Sequence, residues 1–149
     1  MVRRPLLAIC SALLLIAMAG CGQSYKLVSI SASPSTGYDF TQLGETGALT
    51  ITATYSNTKT DNVTINAQYE VQGSSSNEAP SGVVSVDKSG VIHNSSSVTA
   101  CTWTSSTSNG TTTYTQAPYT ILVTFTEWGV TKQTTVPVTV ETRSGCSGS

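Results

Sequence analysis

The strongest constraint on the fold is a two-residue hydrophobic period that returns along the chain between turn-forming residues. Leu49, Ile51, Ala53 and Tyr55 alternate with polar residues, and so do Val63, Ile65, Ala67, Tyr69 and Val71. Ile121, Val123 and Phe125 lead to Trp128-Gly129, and Val136, Val138 and Val140 follow. A strand turns successive side chains to opposite faces, so this pattern predicts half-buried strands with one face on a core. Val28, Ile30 and Ala32 form an earlier run of the same kind. Val84 and Val86 enter Asp87-Lys88-Ser89-Gly90, a turn tetrapeptide with glycine last, and Val91 and Ile92 begin the return. Residues 98–103 read as one more short strand. Pro137 lacks an N–H for a second partner and should lie at an edge or a bulge. No segment after Cys21 has a helical period. The Ser/Thr/Gly-rich stretches 34–47, 73–82 and 105–116 read as loops within one domain, because no flanking strand set is large enough to bury a core alone.

Charged residues make up only 10% of the chain, against roughly 25% in an ordinary soluble domain. Ser and Thr solvate the surface instead, and the branched Cβ of Thr suits a pleated strand. The net charge is −1, and removal of Arg3 and Arg4 with a leader would take it to about −3. No basic cluster remains to displace counterions from phosphates, which argues against nucleic-acid binding and against electrostatic attachment to anionic lipid.

Residues 1–20 read as a targeting signal. A positive start at Arg3 and Arg4 precedes an apolar run over 5–19. That run of about 15 residues falls short of the roughly 20 needed to span a bilayer. It ends in Met18-Ala19-Gly20-Cys21, which resembles the lipobox of bacterial lipoproteins. The resemblance implies cleavage before Cys21, acylation of its thiol and usually of the new amine, and a membrane anchor of two or more chains, enough for stable attachment. Gly22 stands where an Asp would suggest inner-membrane retention, which points to the outer membrane or cell surface. Residues 21–25 then form a lipidated N-terminus and short tether.

The domain at 26–141 is expected to be an all-β, immunoglobulin-like antiparallel sandwich of about seven strands. Three segments carry a family resemblance: LTITATYSNTKTDNVTINAQYEV from Leu49, VVSVDKSGVI from Val83, and YTILVTFTEWGVTKQTTVPVTV from Tyr119. They resemble a bacterial immunoglobulin-like domain of group 2. This sequence departs from that pattern in lacking the short Gly-Thr-Ala motif before the penultimate strand, and in having Tyr69 where the family often has Trp. The family is a module of adhesins, envelope proteins and multidomain enzymes, so the resemblance implies a fold and a place more than an activity.

Of the four cysteines, Cys10 lies in the apolar run and Cys21 is the lipid acceptor, leaving Cys101 and Cys146 for an oxidising compartment. A disulfide between them is favoured over two unpaired thiols, and Cys146 sits in a tail, 142–149, expected to be flexible. His93 is the only histidine, and beside a turn and a serine run it reads as solvated and not catalytic. The carboxylates are scattered without calcium-loop spacing. Neither a metal nor a cofactor is expected, nor enzymatic activity. The expected role is a non-catalytic structural or interaction module, held to the membrane by its lipid and meeting an envelope protein or a glycan. The alternative is a surface carbohydrate-binding module with Trp103, Tyr114 and Trp128 as stacking platforms. Trp128, in the turn of the last hairpin, cannot join the central core, and packing against the domain's own loops is favoured for it over contact with a ligand.

Overall fold

A computed structural model describes residues 25–73 and 82–146; the signal segment, Cys21 and most of the 73–82 stretch lie outside these residues. The described chain forms β1 (Leu27–Ser33), β2 (Tyr38–Phe40), β3 (Thr46–Ala48), β4 (Thr50–Tyr55), β5 (Thr60–Asn62) and, after a 3-10 turn at Thr64–Asn66, β6 (Gln68–Gln72). It continues as β7 (Val84–Val86), β8 (Val91–Asn94), β9 (Trp103–Ser108), β10 (Thr111–Gln116), β11 (Tyr119–Glu127) and β12 (Val130–Val140).

The order β2-β12-β11-β6 makes one layer. The other layer joins β1-β4-β5 to β3-β8-β7, because β3 and β4 are one run interrupted only at Leu49, whose N–H bonds the Gly90 carbonyl at 2.9 Å. Their inner faces share one core. Ile51, Ala53 and Ile92 come from the second layer, and Ile121, Val123, Val136, Val138 and Val140 from the first; all are fully buried. The fold is therefore the all-β sandwich expected, with immunoglobulin-like strand order. Counting β1/β2 and β3/β4 as one strand each gives seven, and β5 and the β9–β10 hairpin are additions. One pair is parallel: β2 runs beside the end of β12, with Tyr38 opposite Val138 and Phe40 opposite Val140.

The alternation in β4, β11 and β12 places side chains as expected, and Asp87-Gly90 closes the β7–β8 hairpin. Asp87 Oδ1 accepts hydrogen bonds from the Ser89 N–H at 2.8 Å, the Ser89 hydroxyl and the Val91 N–H at 3.0 Å. These donors, the Ser89 hydroxyl first, hold the Asp87 carboxyl well below the usual carboxylate range. Pro137 lies where expected, because β12 gains its second neighbour only from Val138 onward.

Five expectations are corrected. Val28 points outward, since a bulge between Leu27 and Ser29 turns Leu27 into the core instead. The run 63–71 is not one strand. Asn62 Oδ1 accepts from the Thr64 N–H and hydroxyl, and the buried Thr64 Oγ1 accepts the Ile51 N–H at 2.8 Å. The chain there makes its 3-10 turn, crosses between layers and leaves Ile65 exposed before β6 begins at Gln68. In 34–47 the chain forms β2 and begins β3, and Phe40 is buried. Residues 98–103 are strand only at Trp103, apart from a single bridge between Cys101 and Glu141, and 105–116 is no loop: it forms most of β9–β10. That hairpin turns through Asn109 and Gly110, with φ of 51° and 78°, the pair of left-handed residues favoured by two-residue hairpins.

Candidate functional site

One end of the sandwich gathers aromatic and charged side chains from three distant segments. The β11–β12 hairpin supplies Glu127 and Trp128, the β4–β5 turn supplies Tyr55, Asn57, Lys59 and Asp61, and Tyr25 stands at the start of the described chain. The β4–β5 turn is fixed by the Thr58 N–H donating to the Tyr55 carbonyl and by the Asn57 side chain accepting the Lys59 N–H. Between these residues lies an open pocket of about 120 Å³. Small-molecule sites run from about 300 Å³ upward and enclose their ligand, so this pocket is an open surface depression smaller than such sites.

Trp128 is 70% exposed, and its backbone is left-handed at φ 47°, followed by Gly129 at φ 77°. Gly129 meets the positive-φ requirement read from the sequence, but the turn imposes the same requirement on Trp128. Asn, Asp or Gly suit that position far better than a bulky residue. Beneath it, Glu127 Oε2 is buried without a hydrogen-bond partner among the described residues. Burial, and then the neighbouring Glu127 carboxylate, pushes the Tyr55 phenol up to about 12.

Tyr69 is shifted equally, to about 12, by burial and by the charge of Asp87, and its hydroxyl donates to the Thr64 carbonyl at 2.8 Å. Unfolded tyrosines ionise near pH 10, so the unfolded chain loses these protons first as pH rises. The stability tied to the neutral phenols is complete below about pH 10 and is lost between about 10 and 12. Urea midpoints should therefore fall steeply across that interval, and Tyr55→Phe and Tyr69→Phe should each flatten the fall.

The other expected aromatics lie elsewhere. Trp103 opposes Gln116, and Tyr114 opposes Ser105, so the two rings share one face of the β9–β10 hairpin. Trp103 is half-buried, and its indole N–H donates to Glu141 Oε1 at 2.6 Å. Tyr114 is 46% exposed. Thr102 exchanges hydrogen bonds with Val140 beside them, which places this group at the far end of β12 from Trp128. The three aromatics do not make one platform.

Cys101 and Cys146 form a disulfide, with Cα atoms 5.5 Å apart. The start of the tail is pinned as well as bridged: the Thr142 N–H donates to the Ala100 carbonyl, and the Ala100 N–H to the Thr142 hydroxyl. His93 sits exposed on β8 with Nε2 3.2 Å from Asp87 Oδ2. Among the described residues no group of three His, Cys, Asp or Glu side chains is placed to hold a metal ion, and no helix is long and apolar enough to cross a membrane.

Sequence reasoning found Trp128 through the Gly that follows it. It missed Tyr25 and Tyr55, assigned to the tether and the core, because only tertiary contact brings them to the same end. No protein-family model matches the chain, and no curated protein matches it either.

Proposed function

We propose that this is a lipid-anchored protein of the bacterial cell envelope whose immunoglobulin-like domain is a non-catalytic structural or interaction module. The observation that carries the reading is the motif Met18-Ala19-Gly20-Cys21 after a short apolar run, with a folded strand beginning at Leu27. A chain cut before Cys21 passes almost directly from its lipid into the sandwich. The resemblance to group 2 bacterial immunoglobulin-like domains agrees with this placement. Gly22 favours the outer membrane or cell surface over inner-membrane retention. The His93–Asp87 pair is exposed, and the pocket that Asp87 borders is open to solvent.

Intact mass and detergent phase partition of the wild type and Cys21→Ser test the anchor. The wild type should carry the mass of its acyl groups and enter the detergent phase, while Cys21→Ser stays in the aqueous phase. Equal partition of both into water rejects the anchor. The alternative reading, a surface carbohydrate-binding module, draws support from the exposure of Trp128 and Tyr114; a glycan array with the domain from Gln23 onward tests it.

A further inference from the structure

The Trp128 end is also the end at which the chain arrives from Cys21. Tyr25 borders the same pocket as Trp128, and only residues 22–24 separate it from Cys21. Four peptide steps, fully extended, reach at most about 14 Å. If Cys21 carries acyl chains in the bilayer, this end of the domain is held within that distance of the lipid surface. The headgroup zone itself is about 5–8 Å deep on each side of the hydrocarbon.

The side chains there suit such a place. Trp and Tyr concentrate at membrane–water boundaries because their rings are apolar while an N–H or O–H still reaches water. Trp128 is 70% and Tyr25 40% exposed. The charges around them, Lys26 and Lys59 against Asp61 and Glu127, balance in sign, so the attraction comes from the rings and not from a basic patch. Trp128 also occupies a left-handed turn position that Asn or Gly would fill with less strain. The bulky ring is therefore unexplained by the turn itself. Ile65 is as exposed, but it lies at the crossover between layers and borders a different pocket, with Tyr69 and Val86.

We infer that the Trp128 end of the domain faces the bilayer to which Cys21 is anchored, with the Trp128 indole seated among the lipid headgroups. This rests on acylation of Cys21. The sandwich then stands on its hairpin tip, and the disulfide-bound end with the β9–β10 hairpin projects away. The 11 residues of β12 separate the two ends by roughly 35 Å, so Trp103 lies well outside the headgroup zone.

The chain has only two tryptophans, one at each end, which makes fluorescence a direct test. The acylated full-length protein is reconstituted into phosphatidylethanolamine–phosphatidylglycerol vesicles with and without lipids brominated on their acyl chains. Wild-type emission should shift to the blue and lose a large part of its intensity to the brominated lipid. Trp128→Phe, which keeps an aromatic ring at the tip and leaves Trp103 as the reporter, should lose that quenching several-fold. Protein that is acylated and floats with the vesicles, yet is unquenched or is quenched equally in Trp128→Phe, overturns the orientation while the anchor stands. Protein whose mass shows no acyl groups overturns the anchor and the orientation with it. A Trp128 emission indifferent to vesicles but shifted by soluble oligosaccharides assigns the tip to a glycan and also overturns the inference.

Discussion

Replacing both Cys101 and Cys146 by Ser should lower the unfolding free energy by about 2–4 kcal/mol while leaving the fold intact. The bridge spans 45 residues of sequence, and closing a loop of that length removes entropy from the unfolded chain worth about 4 kcal/mol in the chain-entropy model. Most of the native arrangement around it persists without the bond. Thr142 still binds Ala100 in both directions, and Trp103 still donates to Glu141. The loss therefore resides mainly in a freer unfolded state, and the melting temperature should drop by roughly 10 °C for a domain of this size. Denaturant unfolding of the double variant checks this, with free-thiol labelling of the wild type expected to find no reactive thiol at either position. A loss under about 1 kcal/mol would mean that the hydrogen bonds of the tail already do the work of the bridge.

The same physics explains what the sequence reveals and what it hides. Alternation is readable in β4, β11 and β12 because each has one face on the shared core and the other toward water, so burial writes itself into the residue order. The β9–β10 hairpin has no buried face beyond Trp103, so no period appears. Its one signal is Asn109-Gly110, a strong hairpin dipeptide whose weight is easily lost in a Ser/Thr-rich segment. In 63–71 the period is present and misleading. Burial of Val63, Ala67 and part of Tyr69 satisfies it, yet the chain changes layers midway, and the hydrogen bonds from Thr64 to Asn62 set a turn where alternation suggests extension. Val28 fails for a third reason: a bulge adds one residue and shifts the phase, so Leu27 takes the inward place.

The candidate site divides in the same way. Trp128 is legible because Gly129 marks a turn and a large aromatic in a turn has no core to enter. Tyr55 is legible only as a core residue, and it is one, at 8% exposure. Its second role, walling the pocket beside Glu127, depends on two turns far apart in sequence meeting at one end of the sandwich. The pairing of Cys101 with Cys146 is legible because these are the only two of the four cysteines that lie beyond residue 25, whereas the anchoring of the tail by Thr142 carries no sequence signal.

Gly37→Ala is expected to be among the most damaging single substitutions in the domain, at about 2–5 kcal/mol. Two independent costs meet there. Gly37 has φ of 81°, and an alanine forced into the left-handed region costs about 1–2 kcal/mol. A Cβ at this position would also be driven into the carbonyl oxygen of Pro137 and toward its ring, with Pro137 Cγ only 2.9 Å away. That obstacle is backbone, so relief requires β2 to move off β12, adding the 1–3 kcal/mol typical of overpacking. The strand displaced carries Phe40, which is 3% exposed and seals the core beside Val140. Gly110→Ala supplies the control. Its φ is 78°, nearly the same, yet a Cβ there meets nothing within 4 Å, so that variant should lose only the backbone cost of about 1–2 kcal/mol. Urea unfolding of the two variants isolates the steric part as their difference. Equal losses would show that β2 is not packed against β12 closely enough to demand glycine, and the parallel pairing that closes this edge of the sandwich would have to be abandoned.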